Sequence, residues 1–346
     1  MTHFWVRQEP RANEARAGVM PEGVEALMAA GHQVTVEDDP GRAIPTDAYR
    51  ATGAAIAVAG AWVDAPVDAV ICGLKELPDD GTPLRHRHIM FGHAYKGQAE
   101  GAVLLDRFRA GGGTLLDLEY LTDPSGRRVA AFGVWAGFAG AAVSLIGWAA
   151  GQSGGTCPKA QVFASADAMT SHVREALQEK TPSVIVIGAL GRVGTGARDL
   201  CDRLGLPVTA WDMAETASGG PFPEILTHDV FLNCILASPG VPVFVPVDAI
   251  RAERKLHMIG DIACDPSSDF SPIKVYDQIT SWDAPTLRVH ETPLLDVMAI
   301  DNLPSMLPRE ASEDFAGQLL PHLLAFKSDP EGVWTRAAEI YRSHTD

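Results

Sequence analysis

The commonest dinucleotide fingerprint, G-x-G-x-x-G, does not occur in this chain of 346 residues. Cations are scarce as well: 28 Lys and Arg stand against 44 Asp and Glu, a formal net charge of −16. A chain this acidic repels phosphate backbones, so nucleic acid is excluded as an expected partner. Only five cysteines occur, Cys72, Cys157, Cys201, Cys234 and Cys264, and none forms a C-x-x-C pair. Their odd number and lack of pairing make buried reduced thiols in a cytoplasmic protein the simplest reading. The first eighteen residues, MTHFWVRQEPRANEARAG, carry charge throughout and have no signal-peptide core.

One stretch lacks charge altogether, from Val129 to Pro158. It is long enough to span a bilayer and contains Gly133-xxx-Gly137, a small-residue packing pattern. Gly and Ala dominate it and no cluster of basic residues follows. The expectation is therefore a buried helix of a soluble protein, with a membrane anchor as the competing reading.

What is present is alternation. HFWVRQE, HQVTVED, AAIAVAG, DAVICGLKE, HIMFGHAY and GTLLDLEYL read as strands, interleaved with helical EGVEALMAAG, PTDAYRATG and QAEGAVLLDRFRAGG. A second array begins at Pro182 with SVIVIGA, LPVTAWD, HDVFLNCIL and KLHMIGDIA, and the tail from Pro308 reads as helix. This predicts an α/β fold of two Rossmann-like domains with mostly parallel sheets, joined by the long apolar helix. The active site is expected in the interdomain cleft. The expected division is 1–130 plus about 308–346 for a substrate domain, and about 131–307 for a nucleotide domain.

In the second array, Gly188, Gly191 and Gly194 form G-x-x-G-x-x-G between a strand and a helix. Glycines there let a backbone approach a pyrophosphate at a helix N-terminus. Asp212 follows at the end of the next strand, where a carboxylate accepts ribose hydroxyls and repels a 2′-phosphate. NAD is thus expected over NADP, against the plain reading of a structural βα turn. The first array has ionisable residues at strand ends instead: Arg16, Lys75, Glu76, His93, Lys96, Glu119, Arg127 and Arg128. Each alone could be a solvated charge, but their recurrence suggests a convergent site for a substrate with several carboxylates. A Lys desolvated among cations has a lowered pKa and can act as a base near neutrality. His86-x-His88 has metal-ligand spacing but no evident third ligand, so no metal is expected.

Taken together, EARAGVMP, GLKELP, FGHAYKGQ, LLDLEYL, GRRVAAFGVWAGFAG, IGALGRVGTGA, WDMAETASGGPF and IDNLPSMLPREAS resemble the NAD-dependent, lysine-forming saccharopine dehydrogenases. The alanine dehydrogenases and the transhydrogenase nucleotide-binding subunit are more distant kin in this resemblance. It implies that saccharopine, NAD and water give L-lysine, 2-oxoglutarate and NADH. It implies Lys75 as proton acceptor and His93 as the second acid–base. Arg16, Lys96, Gln98, Arg128 and Phe132 would contact substrate, and Ala263, Cys264 and Asp265 would fall beside it. The implied cofactor contacts are Arg127, Gly191, Arg192, Asp212, Thr216, Leu236, Ile262, Ile300, Asp301, Asn302 and Leu303, beside Gly188 and Gly194 of the turn. The chain departs from the family pattern at Val193, where members often carry Cys, and at Leu236, where an aromatic is usual. DIACDPSSDFSPI departs too, which bears on the choice of amine. Another opine or amino-acid dehydrogenase, or a non-catalytic NAD-binding regulatory protein, are the alternatives. A monomer is expected.

Overall fold

The structure is a computed structural model that describes every residue except Ala12, Gly97, Gln98 and Asp346. The chain divides into two compact units, Met1–Ala131 with Pro308–Asp346, and Phe132–Leu307.

The first unit opens with β1 (His3–Val6), α1 (Pro21–Ala29), β2 (Gln33–Glu37), α2 (Thr46–Ala51) and β3 (Ala55–Ala57). It continues through β4 (Val70–Cys72), β5 (Arg87–Met90), α3 (Ala99–Gly111) and β6 (Thr114–Asp117). Helix α1 starts on Pro21, whose fixed φ suits a first helical position and whose missing N–H costs nothing there. The six strands are parallel in the order β3-β2-β1-β4-β5-β6. Strand order therefore reverses between β1 and β4, and the crevice at the carboxyl ends of such a pair is where open α/β sheets bind ligands.

In the second unit, α4 (Gly133–Gln152) and α5 (Ala166–Leu177) precede β7 (Val184–Ile187), α6 (Arg192–Leu204), β8 (Val208–Trp211) and the single turn α7 (Met213–Thr216). Then come β9 (Val230–Asn233), β10 (Met258–Asp261), β11 (Leu287–Glu291) and β12 (Leu294–Met298). The sheet order is β11-β12-β10-β9-β7-β8, parallel except for the β11–β12 pair. Both faces of β7 are covered, and all four of its residues are buried. Ser165 caps α5 by accepting the Ala168 N–H at 3.1 Å, and Gly205 ends α6 in the left-handed conformation that glycine adopts freely. The chain then returns to the first unit as α8 (Pro308–Leu324) and α9 (Val333–Thr345). Tyr341 of α9 packs among Leu84, Met90, Phe108 and Leu115. The strand pair β11–β12 is absent from the sequence reading. β11 is half-buried and charged at Arg288, which pairs with the buried Asp296, so it shows no apolar run.

The uncharged helix α4 has length and apolarity enough to cross a membrane, yet Gly137 through Ala149 are all buried inside the second unit. Gly137 of this helix and Gly196 of α6 let the two helices pack closely. A Cβ on Gly137 would collide with the Val193 carbonyl oxygen, and one on Gly196 with that of Val134. These obstacles are backbone and cannot yield by changing rotamer. Gly137→Ala is therefore expected to destabilise the protein by about 1–3 kcal/mol, the usual range for overpacking. A lowered urea midpoint at constant m-value checks this, and an unchanged midpoint would mean the helices separate freely.

Candidate active site

In the first unit, the turns leaving β4, β5 and β6 bring the ionisable residues into one cluster. Lys75 follows β4, half-buried. Burial lowers its pKa first and the Arg16 charge second, while Glu76 and Glu14 pull it back up. Arg16 is buried and forked on Glu14, with Nε at 2.7 Å and Nη2 at 2.5 Å from its two carboxylate oxygens. Beyond β5, His93 sits in left-handed backbone (φ 48°), a strained choice for a residue with a Cβ. Its Nε2 lies 3.4 Å from Glu76 and its Nδ1 4.0 Å from Glu119. Desolvation lowers its pKa, Glu76 and Glu119 oppose that, and Lys75 and Lys96 add to it. Desolvation and the nearby Arg128 charge lower the Lys96 pKa, but its donation to Glu119 at 2.9 Å outweighs them and the net shift is upward. Arg127 is highly exposed and pairs with Asp123 at 3.5 Å. Gln98 lies outside the described residues.

Lys75 and His93 are thus linked through Glu76, with Arg16 on one flank and Lys96 with Arg128 on the other. Such a cluster can bind carboxylates and move protons. Asp117 was not singled out in the sequence. At the buried end of β6 it accepts the Gly92 N–H at 3.2 Å and the Glu119 N–H at 2.9 Å, so it anchors both the His93 turn and the Glu119 turn. Burial raises its carboxyl to about 6.

The second unit holds the glycine turn. Gly188 follows β7 with φ 87°, Gly191 caps α6, and Arg192 is its first residue. A Cβ on Gly194 would collide with the Gly188 carbonyl oxygen, so the third glycine lets α6 start against the strand. Gly191 instead is exposed, and its added Cβ would meet only the Gly188 oxygen, at 3.5 Å. The turn is therefore tight inside and open outside, a cradle that a pyrophosphate fits. Asp212 accepts the Leu190 N–H at 2.9 Å and the Met213 N–H at 2.9 Å, tying the end of β8 to that turn. Thr216 donates to the Asp212 carbonyl oxygen at 2.9 Å. Leu236 is 62% exposed just past β9.

Other expected contacts are placed differently. The Ile262, Ile300 and Leu303 side chains are buried in the apolar core of this unit. Ala263 and Cys264 are half-buried, Asp265 and Asp301 exposed. The Asn302 side chain accepts from Ser305 at 2.7 Å, and Phe132 stands half-buried before α4. Sequence reasoning missed the network beside them. Buried Asp261 accepts from Asn233 at 2.9 Å and from the Tyr276 hydroxyl at 2.6 Å, fixing the ends of β9 and β10.

The His86-x-His88 pair is internal. His86 Nε2 lies 3.1 Å from the Ala65 carbonyl oxygen, and His88 stands edge-on to Trp62 and Phe108 with neither nitrogen hydrogen-bonded. Among the described residues no three His, Cys, Asp or Glu groups gather to hold a metal. Burial, reinforced by Arg7, lowers the His88 pKa well below 6.5. Above that value native and unfolded chains both keep it neutral. As pH falls below it, the unfolded chain takes up the proton first and stability is lost, by up to about 1.4 kcal/mol per pH unit. His88→Phe is expected to remove this part of the acid sensitivity. The test compares urea midpoints of variant and parent at pH 7.5 and 5.5. Asp117, whose raised pKa acts in the opposite sense, cancels in the difference. A gap that does not change between the two pH values would contradict the account.

Residues 5–139 match the family model described as alanine dehydrogenase/PNT, N-terminal domain. Among solved structures, an L-alanine dehydrogenase aligns with a TM-score of 0.66 at 17% identity, covering 99% of this chain and 94% of that one. A transhydrogenase from Sinorhizobium meliloti aligns at 0.56, also at 17% identity, covering 94% of each. These likenesses establish the fold of two Rossmann-like α/β domains. The curated relatives are nearer. The saccharopine dehydrogenase [NAD(+), L-lysine-forming] of Schizosaccharomyces pombe is 42% identical over 99% of this chain and 98% of its own length. That of Emericella nidulans is 44% identical over 98% and 96%. A shorter match, 29% identical over 39% of this chain, is to the mitochondrial alpha-aminoadipic semialdehyde synthase of Rattus norvegicus. With near-full-length identity above 40%, the chain belongs to the family of NAD-dependent, lysine-forming saccharopine dehydrogenases.

Proposed function

We propose that the chain catalyses the reversible, NAD-dependent oxidative deamination of saccharopine to L-lysine and 2-oxoglutarate. The observation that carries this is the Lys75–Glu76–His93 cluster, flanked by Arg16, Lys96 and Arg128. Neutral Lys75 takes the proton from the secondary amine. Bound NAD supplies the hydride acceptor for the α-carbon of the glutamate moiety. His93 then shuttles the protons as water adds to the imine carbon and the carbinolamine releases lysine. Arg16 and Arg128 grip carboxylates, with Lys96 as a further contact. The cofactor set is Gly188, Gly191, Arg192, Gly194, Asp212, Thr216 and Leu236, with Arg127, Asp301, Asn302 and the backbone of Ile262, Ile300 and Leu303.

The test is absorbance at 340 nm with purified protein, saccharopine and NAD, and NADP in parallel. Rapid NADH formation is expected. NAD binding without reduction would instead favour another opine or a regulatory role. We further propose a soluble cytoplasmic monomer. The buried α4 supports solubility and the free thiols of all five cysteines support a cytoplasmic location. Fractionation of untagged protein and light scattering test it, and a membrane-bound pool or a dimer mass would overturn it.

A further inference from the structure

We propose that the buried pair Arg7–Glu9 is a positioning device that holds the Lys75 turn from behind. It rests on the reading of Lys75 as the base.

Strand β1 stops at Val6, and Arg7-Gln8-Glu9 follow it outside any regular element. These residues leave the sheet at the β1/β4 reversal and turn their charges inward. The Glu9 carboxylate accepts the Leu74 N–H at 2.7 Å and the Lys75 N–H at 2.9 Å. The Arg7 guanidinium donates to the Lys75 carbonyl oxygen, to the Gln8 carbonyl oxygen at 3.0 Å and to Glu9 at 3.4 Å. Both peptide units flanking the Lys75 Cα are therefore held, one by an anion and one by a cation. Arg7 reaches its place only because residue 73 is glycine, since a Cβ there would overlap the guanidinium. A second buried pair stands behind the first. Asp39 accepts the Glu9 N–H at 3.3 Å and lies 3.8 Å from Arg42.

Four charges this deep are costly, and packed apolar residues would commonly stabilise a fold as well or better. What an apolar pair cannot do is grip one peptide N–H and one carbonyl on either side of a single residue. An error of about 1 Å in placing a reacting group can cost roughly 10²-fold in rate, which gives the clamp its function.

Glu9→Gln keeps the shape but sets an amide where two N–H groups need an anion. The expected result is a fall in kcat of about 10²-fold with KM for NAD within twofold of the parent. The ascending limb of kcat against pH should also move upward. A loosened turn rehydrates Lys75, whose other charged and titratable neighbours, Arg16, Arg11, Glu14, Glu76 and His93, are untouched. Gly73→Ala, which presses on Arg7 from the turn itself, should show the same pattern at about tenfold or more, and serves if Glu9→Gln does not fold. Unchanged kcat and pH limb in a folded variant overturn the proposal, as does an equal loss of NAD binding. Lys75→Met is measured alongside. If it keeps full turnover, the base assignment fails and the clamp falls with it. If it is inactive while Glu9→Gln is fully active, the clamp alone is wrong.

Discussion

Replacing Lys75 with methionine is expected to lower kcat for saccharopine oxidation by about 10²–10⁴-fold, the usual worth of a positioned general base. Methionine matches the length of the stem and carries no charge, so the half-buried site keeps its packing while the proton acceptor is gone. NAD binding should be unaffected, because the glycine turn and Asp212 lie in the other unit. Stability should hold, since a partly desolvated cation is exchanged for an apolar group. The pH dependence has a definite sign. The lowered Lys75 pKa means the parent rate rises with pH as the ammonium loses its proton, and levels off below the range of an ordinary lysine. That limb should vanish from the residual activity of the variant. Single-turnover NADH formation, with fluorescence titration of NAD, separates the two effects. Full turnover in a variant that folds and binds NAD would remove Lys75 from the chemistry.

The residues that make this prediction possible were legible in sequence because they interrupt apolar strands. Lys75 follows AVICGL, His93 follows HIMFG, and each interruption falls at the carboxyl end of a parallel strand. Asp212 was legible for the same reason, as the first charge after LPVTAW. What stayed hidden is the layer behind them. Arg7, Glu9 and Asp117 look like ordinary charges bordering strands, yet their side chains turn into the unit and bond to backbone. Neither periodicity nor charge pattern distinguishes a carboxylate facing water from one accepting two buried N–H groups. That difference depends on which turns the sheet order brings together, here those after β1 and β4, and those after β5 and β6. Ile262, Ile300 and Leu303 entered the expected cofactor set through the family resemblance alone. They read as core residues and are core residues.

Asp212→Ala is expected to shift the ratio of NAD to NADP efficiency by about 10²-fold or more toward NADP. Hydrogen bonds to a charged partner contribute about 1.5–3 kcal/mol each, so losing two from a carboxylate to the ribose hydroxyls exceeds a factor of 100. Removing the repulsion of a 2′-phosphate adds to the shift. The structure sets a condition on how this is read. Asp212 also accepts the Leu190 N–H and caps α7, so alanine releases part of the glycine turn and costs about 1 kcal/mol of local stability. Loosening alone would weaken both nucleotides together. Discrimination moves only if the carboxylate faces the ribose, so the ratio of the two kcat/KM values is the quantity to measure. Asp212→Asn provides the comparison. It retains an acceptor for the Leu190 N–H but loses the charge, and should recover much of the stability while keeping most of the shift in preference. If both variants lose NAD and NADP efficiency in equal proportion, Asp212 is a structural cap and the preference for NAD arises elsewhere on the turn.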